Sequence, residues 1–196
     1  MKKRALFIDR DGIINHMILQ KEGIFDSPQN IQQIKLVSGI IEVIDWLNKE
    51  NIPIIEITNQ PGFALGKIDL EILENIEKEI HGLLNRQKVY IDKIYRCFHH
   101  PESKIEKYKI DCKCRKPRSG LLLQAAKEME LDLKRSVILG DNATDMEAGK
   151  KVGCKTILFS HTNDLPHKIA INKSYNPEFR VYSHSEVIPI LIKLFK

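Results

Sequence analysis

Ala5-Leu6-Phe7-Ile8-Asp9-Arg10-Asp11-Gly12 is an apolar run that stops abruptly in two aspartates at i and i+2, followed by glycine. Four consecutive apolar residues are too few for a helix, and an uninterrupted run suits a strand covered on both faces, as in parallel sheets. The carboxylates then fall at the C-terminal edge of that strand, where open α/β sheets place their ligands. Two clustered aspartates repel each other unless a cation or a shared proton compensates, which makes Mg2+ a natural third party. The competing reading is a solvated turn, since Asp-Gly is also a turn signal. Three later stretches tip the balance.

Working outward, residues 13 to 35 show no sustained period and contain Gly23, Pro28 and Asn30. They read as a loop or small hairpin flap over the site. Ser38 is expected to cap a helix with Ile40, Ile41, Val43, Ile44 and Leu47 as its apolar stripe, closed by Asn51 and Pro53. A second strand, Ile54 to Ile57, ends in the polar turn Thr58-Asn59-Gln60-Pro61-Gly62. Asp69 then caps a helix with Ile72, Leu73, Ile76, Ile80, Leu83 and Leu84 at helical spacing. A strand around Ile91 to Phe98 leads into a basic, cysteine-containing loop and, through Pro117, a helix over 119 to 130. Val137-Ile138-Leu139-Gly140-Asp141 repeats the opening pattern, with Thr144 and Glu147 at capping-box spacing and Gly153 placed to stop the helix behind it. Thr156 to Phe159 makes a further strand. Residues 160 to 178 read as a long irregular loop, Arg180 to Tyr182 as a short edge strand, and Pro189 places the start of the last helix near Ile188.

This β-α-β-α alternation predicts an α/β fold: a three-layer, Rossmann-like sandwich with a mainly parallel sheet and helices on both faces. No linker divides the 196 residues, so a single domain over 1 to 196 is expected. Net charge is +5 and spread along the chain, which suits a small anionic substrate as well as nucleic acid; sparse aromatics that do not alternate with basic residues disfavour a stacking surface for single strands. No apolar segment approaches the roughly 20 residues of a membrane span, and no signal peptide is evident. The expectation is a cytoplasmic monomer without nucleic-acid or membrane partners, its four cysteines reduced or metal-bound.

Three strand ends therefore carry polar clusters: Asp9 with Asp11, Thr58 with Asn59, and Asp141 with Asp145. Parallel strands bring such ends to one rim, where Lys116 can join them as a phosphoryl-transfer set. Separately, Cys97, His99, Cys112 and Cys114 supply three thiolates and an imidazole, a closed tetrahedral set of the structural zinc type. His100 can substitute for His99. Zinc would order a loop, 97 to 117, that is too poor in apolar surface to order itself, and so aim Arg115 and Lys116. Cys154 reads as a small buried residue, and His161, His167 and His184 as surface histidines.

These residues resemble the haloacid dehalogenase superfamily of phosphatases, over roughly residues 4 to 159. Asp9-x-Asp11-Gly12, Thr58, Lys116 and Gly140-Asp141-x-x-x-Asp145 occur in the order of that family. Thr58-Asn59-Gln60 with Gly62 and Gly66, and then Cys97-x-His99 with Cys112-x-Cys114-Arg115-Lys116-Pro117, are similar to its branch without a large cap domain, which contains the heptose 1,7-bisphosphate and histidinol phosphatases. The resemblance implies that Asp9 is the nucleophile that becomes an aspartyl phosphate, and that Asp11 protonates the leaving alkoxide and then activates water. It also implies Mg2+ on Asp9, the Asp11 backbone carbonyl and Asp141, a phosphoryl contact from Thr58, charge compensation from Lys116, and substrate contacts from Asn59, Gln60, Arg115 and Asn142. Asp145 either supports the metal ligands or is an ordinary first-turn helix acid. The implied activity is a Mg2+-dependent phosphomonoesterase acting on a small phosphorylated metabolite, with heptose 1,7-bisphosphate the leading substrate and histidinol phosphate or another sugar or polyol phosphate the alternative; the rival from another class is a catalytically silent binding protein with the same fold, against which the full set of Asp9, Asp11, Thr58, Lys116 and Asp141 speaks. Ile13 stands where the family usually has Thr. Pro61, Phe63 and Leu65 stand where the branch has Ser, Ile and Arg, so a hydroxyl and a cation that can read a sugar or second phosphate are missing.

Overall fold

In the computed structural model, which describes residues 2–20, 23–160 and 176–195, the opening apolar run is a strand, β1 (Leu6–Ile8), in the middle of a six-stranded sheet. The other elements in chain order are β2 (Ile18–Leu19), β3 (Phe25–Asp26), α1 (Ile40–Lys49), β4 (Ile54–Asn59), α2 (Leu70–Arg86), β5 (Lys93–Cys97), α3 (Gly120–Glu128), β6 (Val137–Gly140), α4 (Ala143–Lys151), β7 (Lys155–Phe159), β8 (Phe179–Val181) and α5 (Val187–Phe195). The sheet order is β5-β4-β1-β6-β7-β8 and every adjacent pair is parallel. β2 and β3 form an antiparallel hairpin, so the flap read from residues 13 to 35 is present.

Strict alternation along buried strands sorts the core into two layers. Leu6, Ile8 and Ile54 face Val43, Ile44 and Leu47 of α1, Ile76, Ile80 and Leu84 of α2, and Leu191 and Phe195 of α5. Phe7, Ile55 and Ile57 face Leu121, Leu122 and Ala125 of α3 and Ala148 of α4. This is the expected three-layer sandwich. β1, covered on both sides, has no polar residue because neither face meets water.

Several boundaries differ from expectation. Ser38 does not cap α1; the N-cap is Gly39, at φ 83, where a Cβ would stand 2.9 Å from the Cβ of His184. His184 is buried, not on the surface, and its Nδ1 lies 3.0 Å from the Ser38 carbonyl. β4 runs on through Thr58 and Asn59 because both pair with β5. Asp69 occupies the N-cap of α2 without a side-chain hydrogen bond. The α4 capping box is Asn142 with Asp145, not Thr144 with Glu147. The last helix begins at Val187, next to the expected start near Ile188, after a 3-10 turn led by Ser183. Asn51 (φ 54) and Gly153 (φ 82) close their helices as expected, and Cys154 is buried. Residues 161 to 175, including His161 and His167, lie outside the described residues. No described helix is long and apolar enough to cross a membrane.

Candidate active site

The loops after β1, β4 and β6 leave neighbouring strands at the same rim, and their side chains meet in a cavity of about 250 Å³. Asp9, Asp11, Thr58, Asn59, Gln60, Arg115, Lys116, Asp141 and Asn142 all line it. Every Mg2+, catalytic and substrate residue expected from the sequence is therefore brought to one place.

Asp9 hydrogen-bonds through its backbone N–H to the Leu139 carbonyl at 3.0 Å, which holds the first residue of the loop against β6. Three successive N–H groups, of Ile13, Ile14 and Asn15, then turn back to the Arg10 carbonyl. Gly12 makes this turn at φ 91, and a Cβ there would lie 2.1 Å from Asp141 Oδ2. Only glycine lets the β6 aspartate approach the β1 loop so closely.

Lys116 is the centre of charge. Its buried Nζ lies 2.8 Å from Asp9 Oδ1 and 2.6 Å from Asp145 Oδ1, and donates to the Ile57 carbonyl at 2.9 Å. Burial opposes its charge, but Asp145 and Asp9 hold its pKa above the ordinary lysine value. Burial lifts the Asp9 carboxyl to about 7, against the pull of Lys116 and with the Asp145 and Asp11 charges adding to the rise. Asp145 is raised as well, by burial first, with Lys116 opposing and Asp141 assisting. Carboxylate oxygens of Asp9, Asp141 and Asp145 lie within 4.8 Å of one another, a donor set suited to a hard cation. Lys116 contacts two members of this set, Asp9 and Asp145.

Asp11 is held differently. Arg10 Nε and Nη2 donate to its Oδ1 and Oδ2 at 3.3 and 2.9 Å, Asn15 Nδ2 to Oδ1 at 2.9 Å, and Gln60 Nε2 and Ser27 Oγ to Oδ2 at 2.6 and 2.8 Å. Burial would raise its pKa, yet the Arg10 charge and these donors hold it below the usual carboxylate range. Gln60 Nε2 also donates to Thr58 Oγ1 at 2.9 Å, so the threonine oxygen accepts there and its own proton is available for a phosphoryl oxygen. Asn59 stands on the backbone of Lys116, donating to its carbonyl and accepting from its N–H, both at 3.1 Å. Asn142 caps α4 by accepting from the Thr144 N–H, while Asp145 accepts from the Asn142 N–H at 3.1 Å.

Sequence reasoning missed Arg10, Asn15 and Ser27 as partners of Asp11, and Lys67 and Asp26, which pair at 2.7 Å on the cavity wall. The run Asp26-Ser27-Pro28 reads only as a turn until the hairpin folds it over the cavity.

Behind Arg115 the four zinc-type ligands form a cluster, with five of the six Sγ and Nδ1 separations at 3.2 to 3.6 Å and all within 4.8 Å. A tetrahedron with 2.3 Å metal–sulfur bonds has edges of about 3.8 Å. The Arg115 N–H points at Cys112 Sγ at 3.3 Å. Interaction with Cys97 draws the Cys114 thiol down to about 5, and the same contact pushes Cys97 up. His100 is not in the cluster; its Nδ1 accepts from the Glu102 N–H.

The HAD-hydrolase-like family model matches residues 113–183. The D-glycero-beta-D-manno-heptose-1,7-bisphosphate 7-phosphatase of Haemophilus influenzae is 37% identical over 152 residues, covering 78% of this chain and 77% of that one. A HAD-like phosphatase structure from Mesorhizobium loti superposes with a TM-score of 0.80 at 29% identity, covering 99% of this chain and 87% of that one. The D,D-heptose 1,7-bisphosphate phosphatase of B. bronchiseptica, solved with magnesium and phosphate, gives 0.79 at 23% identity over 97% and 98% of the two chains. With the rim geometry and the sequence identity in agreement, this chain is a phosphatase and belongs to the heptose-1,7-bisphosphate phosphatase family of the HAD superfamily.

Proposed function

We propose that this phosphatase removes one phosphate, that on C7, from D-glycero-D-manno-heptose 1,7-bisphosphate through an aspartyl-phosphate intermediate. The observation that carries the reading is the convergence of Asp9, Asp11, Thr58, Lys116 and Asp141 on one small cavity. The Asp9 carboxylate attacks phosphorus; Asp11, ionised in the free enzyme, takes up a proton as the phosphate's negative charge enters the cavity and passes it to the departing alkoxide. Asp11 then takes a proton from the water that releases phosphate. Thr58 donates to a phosphoryl oxygen. Lys116 offsets charge, with Asn59 fixing its backbone. Asp9, Asp141 and the Asp11 carbonyl would hold Mg2+, which when bound neutralises charge on the phosphoryl oxygens. Cys97, His99, Cys112 and Cys114 would hold a structural Zn2+ that sets the direction of Arg115.

Turnover of the heptose bisphosphate, histidinol phosphate and other sugar and polyol phosphates, measured side by side with Mg2+, tests the assignment. The heptose bisphosphate is expected to have the highest kcat/KM, and a poor rank for it overturns the substrate. Asp9→Asn is expected to lower kcat by more than about 10⁴-fold with the fold retained.

A further inference from the structure

The catalytic cavity, at about 250 Å³, is smaller than the roughly 300–1,000 Å³ of pockets that enclose a whole small-molecule ligand, so the far end of a sugar phosphate seated on Asp9 continues beyond it. A second hollow of about 380 Å³ adjoins it, bounded by Gln20, Ile24, Asp26, Gln29 and Lys67. The last three also line the catalytic cavity. The Asp26–Lys67 ion pair, 2.7 Å from Oδ2 to Nζ, therefore stands where the two hollows meet.

An acid on the wall of a site that takes anions repels its own ligand unless it is cancelled, and Lys67 cancels it. The pair is easily parted. The side chains of Lys67 and Asp26 are 53% and 35% exposed, and an ion pair so open to water contributes little to folding. The hairpin has other fastenings: Ser27 Oγ donates to Asp11 Oδ2 at 2.8 Å, and Gln20 Nε2 to the Ser27 carbonyl at 3.0 Å. Asp26 is oriented by its own turn, since its Oδ1 accepts from the Ser27 N–H at 2.9 Å. The Lys67 backbone is pinned by its N–H, which donates to the Gly62 carbonyl at 2.9 Å. Only the lysine side chain has to swing for the pair to open.

We propose that Asp26 and Lys67 are specificity-determining residues that act as an exchangeable pair: Lys67 leaves Asp26 for a second phosphate at the far end of the substrate, and stays on Asp26 when the substrate has none. The inference deepens the reading of a bisphosphate substrate and rests on it. A phosphate monoester carries about −1.5 to −2 charges and three acceptor oxygens, against one charge on a carboxylate, so it displaces Asp26 from the ammonium. Asp26 is then a competitor built into the site. Its removal strengthens binding of a bisphosphate, whereas removal of Lys67 weakens it. A pair that merely tied the hairpin down would lose the same tie in either variant, and both would act in one direction.

The test measures glucose 1,6-bisphosphate and glucose 6-phosphate as competitors of 4-nitrophenyl phosphate turnover with Mg2+, and takes the ratio of the monophosphate Ki to the bisphosphate Ki. Asp26→Asn, whose amide oxygen can still accept from the Ser27 N–H, is expected to raise that ratio by about threefold or more. Lys67→Met is expected to lower it by about tenfold. Ratios that move the same way in the two variants, or either ratio left within about twofold of the wild-type value, overturn the proposal. The substrate assignment is read separately, from the ranking of natural esters on the unaltered enzyme. A poor rank for the heptose bisphosphate with opposite shifts here sinks that assignment alone, and a first rank without opposite shifts sinks the exchange alone.

Discussion

One ammonium group, Lys116 Nζ, joins the ends of three strands through Asp9, Asp145 and the Ile57 carbonyl. Removing it leaves two buried carboxylates facing each other. Lys116→Met is therefore expected to lower stability by about 3–5 kcal/mol at neutral pH, read from denaturant unfolding, and to remove most of the turnover. Cys154 gives a cleaner pH signature because it does not line the cavity. Burial, with Asp132 adding to it, pushes its thiol up to about 12 from an ordinary value near 9. Between those values the folded chain keeps a proton that the unfolded chain has lost, so this group's contribution to stability is present below about pH 9 and disappears as pH rises to 12. Alkylation of the folded protein at pH 8 is expected to spare Cys154 until denaturant is added. At this scale Asp9, Asp11, Thr58 and Asp141, which line the cavity, were legible because apolar strands ending in Asp or Thr announce themselves. Arg10, Asn15 and Ser27 were not, since their contacts to Asp11 depend on a turn and a hairpin with no period to read.

Helices and strands were legible in number and type, but their caps were less so. Thr144/Glu147 and Asn142/Asp145 have the same spacing; the second pair is used because Asp145 must also reach Lys116. Ser38 lost its role to Gly39 because the chain crosses α1 against His184 at a positive φ. Neither reason is local in sequence. Gly39→Ala is expected to cost at least about 1–2 kcal/mol, from left-handed backbone and contact with His184, visible as a lowered Tm. The cysteine loop is the opposite case, since ligand spacing alone specified its cluster. Metal analysis is expected to find one zinc per chain at this loop, and a strong chelator to expose residues 98 to 114 to protease while the sheet stays folded.

The whole molecule places β1 between β4 and β6, so the three loops that carry the chemistry come from adjacent strands. Convergence of the strand ends on one rim was anticipated from the parallel sheet, whereas the order that makes these strands neighbours was not. The hairpin's closure over the rim was anticipated only as a flap, and its contribution to the cavity wall was not. Lys67, paired with Asp26 of that hairpin, is a cation on the wall where the branch's arginine is replaced by Leu65. For a substrate phosphorylated at both ends, Lys67→Met is expected to raise KM by about tenfold with little change in kcat, and to leave KM for a monophosphate nearly unaltered.

Asn59 grips both backbone polar groups of Lys116, and that grip does not depend on the cysteines. The amide clasp fastens the loop at its inner end, and the proposed zinc would fasten its outer half. Stripping the outer fastening would leave an enzyme that still cleaves simple esters but has gone colour-blind to which sugar it holds: discrimination would fail before reactivity does.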